Sequence, residues 1–205
     1  MKKILLTLFL FNTVHGYKVY ELLPSAHEYK IVIKETEKTT IDGYDSEGRI
    51  STHSFTQSRE LYLKPKDALD LAIRHKNCKI LRAALNKLES FNESVNASAA
   101  LDIINFEMQK ARSNKKFGYW ISGIISASSI LPWLTEVNTK DKLIISGIIN
   151  GFAALTAFFN YSNFKQTRKT YKKMVDLILH SPACIIKNEH QLNLSLMNIT
   201  LFDPN

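Results

Sequence analysis

Two stretches of this chain, Phe117 to Leu134 and Leu143 to Tyr161, contain no Asp, Glu, Lys, Arg or His, and only the eight residues 135–142 lie between them. As helices rising about 1.5 Å per residue, each would just cross a hydrocarbon core roughly 30 Å thick. A chain of 205 residues has too little other apolar surface to wrap two such helices completely. The sequence therefore predicts a transmembrane helical hairpin over 117–161, with spans 117–134 and 143–161 and a polar loop 135–142.

Small residues within the runs are spaced to let helices approach closely. Gly118, Ser122 and Ser126 recur every fourth position in the first run, and Gly147, Gly151 and Ala154 mark the second. Association in lipid relies on such close packing and on polar groups that find partners across the interface. Asn150 is the strongly polar side chain deep in the second run, and Ser122, Ser126 or the Asn150 of a second copy are its expected partners. Gly118, Ser122, Ser126, Gly147, Asn150 and Gly151 are thus candidates for helix packing or for oligomer contacts. Tyr119, Trp120, Trp133 and Tyr161 fall near the ends of the runs, where amphipathic rings suit the headgroup layer.

The formal charge of +8 is concentrated beside these runs. Lys110, Arg112, Lys115 and Lys116 precede the first, and Lys165, Arg168, Lys169, Lys172 and Lys173 follow the second; Lys140 and Lys142 are the loop's basic residues. That placement points to lipid as the partner rather than nucleic acid, for which no zinc-finger spacing or RNP-type aromatic motif argues. Lys115, Lys116, Lys165, Arg168, Lys169, Lys172 and Lys173 are the candidates for contact with a membrane surface. The positive-inside bias puts both flanks in the cytosol. The amino terminus argues the opposite: Lys2 and Lys3, the run Ile4 to Phe11, and Val14 and Gly16 at cleavage-site positions read as a signal peptide, 1–16. Because long translocated domains pass largely regardless of charge, the leader is taken to prevail, with exported N- and C-terminal regions.

Outside the hairpin the periodicities describe an α+β protein. Residues 17–64 alternate in places (Tyr29, Ile31, Ile33) around turn-forming Asp42-Gly43 and Asp45-Ser46-Glu47-Gly48, which suggests a β-hairpin or small meander. In 65–116 the spacing changes to about four: Leu69, Ile73, Leu81, Leu85 and Leu88 form one amphipathic helix, and Ser90 with Glu93 has capping-box spacing where it bends or restarts. Ala99 to Lys116 then runs into the first span. In 162–205 a basic amphipathic helix, Asn163 to Leu179, ends at Ser181-Pro182, and Leu192 to Phe202 read as a bulged C-terminal strand.

No catalytic constellation is legible. His27, His53, His75, His180 and His190 stand apart from one another and from cysteines, and no phosphate-cradling glycine loop or nucleophile elbow occurs. Neither metal nor cofactor is expected, and Cys78 and Cys184 read as two unpaired thiols, one bridge being the alternative. Five N-x-S/T sequons, at Asn92, Asn96, Asn160, Asn193 and Asn198, matter only in a eukaryotic secretory lumen. The expected function is a non-enzymatic, membrane-anchored interaction or envelope protein with its soluble parts on one side. The alternative is an oligomeric two-helix membrane effector or pore, and a homo-oligomer or a protein is a further possible partner. The order helix, hairpin, basic helix over about Ala99 to Leu179 resembles two-helix membrane effector domains such as the SLATT type; the likeness is architectural, rests on no diagnostic motif, and is contradicted by an export leader.

Overall fold

The computed structural model describes residues 15–24, 27–44, 50–135 and 138–186, together with Asn193 and Leu196. It is a mixed α+β chain in two compact units, residues 1–68 and 69–205.

The first unit is a three-stranded antiparallel meander: β1 (His15–Leu22), β2 (Ile31–Tyr44) and β3 (Ile50–Leu63), in the order β1-β2-β3. Of the two options that the sequence leaves open, this is the small meander. Val19 pairs with Thr36 and Thr36 with Ser58, so the central strand is bonded on both sides. Ile31, Val32 and Ile33 are buried, whereas most of β3 is exposed. The knot Asp45 to Gly48 lies outside the described residues. So does most of the expected leader, but its cleavage position falls inside β1, where Gly16 pairs with Thr39.

Glu35 carries the one charged side chain among the described residues that is buried. On one face of the sheet it accepts from Lys18 Nζ at 3.1 Å, from the Tyr20 hydroxyl at 3.0 Å and from Arg59 Nε. Cross-strand register explains the cluster, since Tyr20 and Arg59 both stand directly opposite Glu35. The Arg59 hydrogen bond foremost, with Lys18 and Tyr20, outweighs burial and lowers the Glu35 carboxyl from 4.5 to about 2. A carboxyl lowered on folding stabilises the sheet above its ordinary value, and that contribution disappears as the pH falls toward 2. Amide exchange protection in β2 is therefore expected to weaken between pH 4.5 and 2 in the full chain. In Glu35→Gln it should be weaker at neutral pH and flat across the same window.

In the second unit, α1 (Pro65–Arg74, beginning in the first unit) and α2 (Cys78–Ser90) replace the single helix expected over Leu69 to Leu88. The break is local: Lys76 takes φ 56°, and the Asn77 side chain caps α2 by accepting from the Lys79 and Ile80 amides at 3.1 and 3.2 Å. The Ser90–Glu93 capping box does not form. Ser90 instead donates to the Lys87 carbonyl, Asn92 sits at φ 52° beyond the end of α2, and Asn96 caps the next helix. That helix, α3 (Ala97–Ser128), is followed by a 3₁₀ turn (Leu131–Leu134) and by α4 (Thr139–Leu179). The basic helix expected from Asn163 is thus the continuation of the second apolar run.

α3 and α4 pack along each other, and α2 packs on the far half of α4. Leu81, Leu85 and Leu88 of α2, Leu101, Ile104 and Met108 of α3, and Tyr171, Met174 and Ile178 of α4 form the core of this unit. A parallel pairing of β4 (Val95–Asn96) with β5 (Cys184–Ile185) ties the entry of α3 to the chain beyond α4. Of the expected C-terminal strand only Asn193 and Leu196 are described, and both are helical rather than extended; spacing of leucines by two also provides i, i+4 pairs, so the pattern suits either state. Cys78 and Cys184 are free thiols.

Among the described residues the Tyr171 hydroxyl has no hydrogen-bond partner although it is buried, and burial raises its pKa. Removing an unsatisfied polar atom while keeping the ring is neutral or favourable, whereas removing the ring leaves a cavity. Tyr171→Phe is therefore expected to melt at or above the parent temperature, and Tyr171→Ala to lose about 3–5 kcal/mol, read by circular dichroism of the full chain in detergent.

Candidate functional site

The α3–α4 pair changes character at Phe117. Before it, α3 buries a stripe; beyond it, large apolar side chains face outward. On α4, Leu143, Ile144, Ile148, Phe152, Leu155, Phe158 and Phe159 each leave more than half of their surface open, as do Phe117 and Trp120 on α3 and Ile130, Leu131 and Leu134 at the tip. Only 6% of the most apolar stretch of α4 is buried, whereas a core helix of a soluble protein with the same length and composition is mostly buried.

Polar groups occupy the seam instead. Ser126 Oγ donates to Asn150 Oδ1 at 2.8 Å, Ser146 Oγ donates to the Ser129 carbonyl at 2.8 Å, and Trp133 Nε1 donates to Ser146 Oγ at 3.2 Å. Ser122 and Thr156 return their hydroxyls to carbonyls four residues back, Gly118 and Phe152. Asn160 Nδ2 donates to the Thr156 carbonyl at 2.8 Å while its carboxamide lies against Gly118, where a Cβ would overlap it. The outer surface is thus apolar while the polar side chains bond across or along the pair, Ser122 buried and Ser126 and Asn150 joined at an exposed edge.

Of the six packing candidates, the structure brings Gly118, Ser122, Ser126 and Asn150 into or beside the seam and leaves Gly147 and Gly151 out of it. Among the described residues nothing lies within 4 Å of the Cβ that either glycine lacks. Helical phase explains the difference. At 100° per residue Gly147 and Gly151 point about 100–140° away from Ser146, while Asn150 and buried Ala153 stay within about 40° of it. The sequon at Asn160 belongs to the same seam, a role its spacing alone does not disclose.

The second run is one unbroken helix. The first is not: α3 ends at Ser128, so its charge-free part is about 18 Å long, and the chain continues through Ser129 and Ile130 into the 3₁₀ turn with Pro132 at its start. Among the described residues α4 is accordingly the one helix long and apolar enough to cross a membrane, and two full helical spans are not present.

At the base of the apolar part, Lys115 Nζ stands over the rings of Tyr119, Tyr161 and Phe164 at 5.5, 5.5 and 4.6 Å, a cation–π cluster that sequence spacing did not disclose. Lys116, Lys165, Lys169, Lys172 and Lys173 are exposed around it, and Arg168 is partly covered. No Asp or Glu occurs from Gln109 to Ser128 or from Leu143 to Val175. This collar therefore carries basic residues and no acid of its own, while Lys173, further along α4, lines a cleft with Glu89 and Asp176. Among the described residues no cluster of acids, histidines and cysteines could hold a metal ion.

Comparison of the chain with protein-family models, with curated proteins and with solved structures finds no match.

Proposed function

We propose that this is a non-enzymatic membrane-anchored protein, in which the α3–α4 hairpin from Phe117 to Tyr161 enters the bilayer and the sheet and helical core remain on one side to bind a partner. One observation carries the reading: large apolar side chains are open along the outer surface of the hairpin, while Ser122, Ser126 and Ser146 and the Asn150 carbonyl oxygen are hydrogen-bonded within it. Lipid rewards that arrangement, since a backbone or side-chain polar group facing acyl chains costs several kcal/mol, roughly, whereas an exposed Phe or Leu costs nothing. In water the same surface is an aggregation patch. The α4 segment Leu143–Tyr161 crosses as a helix, and the α3 side returns through the shorter helix and the 3₁₀ turn, which makes the arm a double passage of unequal halves.

Membrane fractionation tests the proposal. The full chain is expected to stay with the pellet after carbonate wash and to need detergent for a monodisperse solution; a chain that is monodisperse in plain buffer overturns it. Which side the folded parts face follows from the mature amino terminus by mass spectrometry. A chain beginning at Tyr17 has them exported, and one that retains Met1 has them in the cytosol by the charge of the collar.

A second reading, an oligomeric effector or pore, is favoured by the open face at Gly147 and Gly151. Asn150 weighs against a pore lining, because its carbonyl oxygen is engaged by Ser126 of the same hairpin. Dye leakage from liposomes that Gly147→Leu abolishes supports this reading, and a leak-free monomer removes it.

A further inference from the structure

The outer face of α3, opposite the seam, carries Gln109, Arg112, Ser113 and Lys116, which line an open cleft of about 370 Å³. One turn further along the same face lies Trp120, its ring stacked against Phe117 at 6.2 Å between centroids. A volume near the lower end of the small-ligand range suits a headgroup rather than a whole lipid. Among the described residues, Gln109, Ser113 and Lys116 have no hydrogen-bond or ion-pair partner, whereas Arg112 already has an interaction of its own. The nearest acid on the helix, Glu107, is nine residues from Lys116 and so on the opposite face.

Depth singles out this cleft. Arg112 and Ser113 stand about 6–8 Å, and Lys116 about 1.5 Å, before the charge-free run along the helix axis. The headgroup layer on one side of a bilayer is roughly 5–8 Å thick. Two cations and the Ser113 hydroxyl therefore occupy the layer in which lipid phosphates lie, Gln109 stands about 12 Å before the run at the outer edge of the cleft, and the stacked rings begin where acyl chains do. Lys115, by contrast, is turned onto its three aromatic rings.

We propose that Gln109, Arg112, Ser113 and Lys116 bind the phosphate of an anionic phospholipid, whose acyl chains pack on Phe117 and Trp120. The inference rests on the membrane reading above and adds to it a preferred lipid class. Each basic group near an anionic surface is worth about a five-fold gain in partition, so the pair gives roughly thirty-fold preference for anionic over zwitterionic lipid at this position.

The test uses Trp133→Phe, which leaves Trp120 as the sole tryptophan. The full chain is reconstituted in phosphatidylcholine vesicles containing a minority of either phosphatidylglycerol or phosphatidylcholine brominated near the headgroup end of the chain. Brominated phosphatidylglycerol is expected to quench Trp120 at far lower mole fraction. Arg112→Gln with Lys116→Gln should abolish that excess while quenching by brominated phosphatidylcholine persists, which shows the variant still inserted. Equal quenching by both lipids in the parent, or an excess that survives in the double variant, overturns the site. An excess lost equally in Lys30→Gln with Lys64→Gln, on the sheet unit, also overturns it by making net charge the cause. Quenching by neither lipid overturns the membrane reading itself.

Discussion

With lysine at both Ile148 and Leu155, the protein is expected to leave the membrane fraction. The two side chains are 54% and 53% exposed near the middle of the apolar part of α4 and face away from the seam. A lysine at the centre of a spanning helix costs about 3 kcal/mol on the insertion scale, so the pair costs about 6 kcal/mol, a loss in partition close to ten-thousand-fold. Neither residue belongs to the helical core, so helix content by circular dichroism should be unchanged. Lysine at Leu101 and Ile104, both fully buried, is expected to do the reverse, unfolding the core. Retention of the Ile148→Lys, Leu155→Lys chain in carbonate-washed membranes contradicts the account.

The second large effect belongs to the seam. Gly118→Leu places a side chain where the Asn160 carboxamide now sits, and Asn160 can give way only by breaking its hydrogen bond to the Thr156 carbonyl. Overpacking of this kind costs about 2–3 kcal/mol, and the released amide would face lipid without a partner. The α3–α4 pair is expected to separate at its base. Spin labels at Ser113 and Lys165, both exposed, should report a longer and broader distance distribution. Shortening the opposing side chain restores room, so Gly118→Leu with Asn160→Ala should recover most of the parental distance, a coupling that independent sites would not show. Gly147→Leu, by contrast, meets open space, and the hairpin should keep its parental distance distribution.

Several features of this fold were legible in the residues, because they depend on local pattern. Charge-free length marked the apolar hairpin and the alternating Ile31 and Ile33 marked β2, although Tyr29 lies before the strand and Val32 is buried as well, and the amphipathic pattern of Asn163 to Leu179 marked the packed end of α4. The departures arise where one or two side chains override a pattern. Asn77, as an N-cap, splits a stripe that is continuous by periodicity into α1 and α2. Ser129, Ile130 and Pro132 end a run that composition extends to Leu134. Small-residue spacing identified Gly147 and Gly151 as able to pack closely, but which face meets α3 depends on the phase set by Ser146, Asn150 and Ala153, a tertiary fact. Gly118 with Asn160 and Lys115 with Tyr119, Tyr161 and Phe164 pair residues from two helices, and their juxtaposition needed the register of the hairpin.

The central claim is that acyl chains, and not protein or water, cover the outer surface of α4. Spin labels placed singly at Ile144, Ile148, Phe152 and Leu155, in a chain with Cys78→Ser and Cys184→Ser reconstituted in liposomes, measure this directly through collision with oxygen and with a water-soluble nickel chelate. The account predicts high oxygen collision and low chelate collision at all four sites, with oxygen collision greatest at Ile148 and Phe152, near the centre of the apolar run. High chelate collision at these positions, or immobilised labels shielded from both reagents, would contradict it.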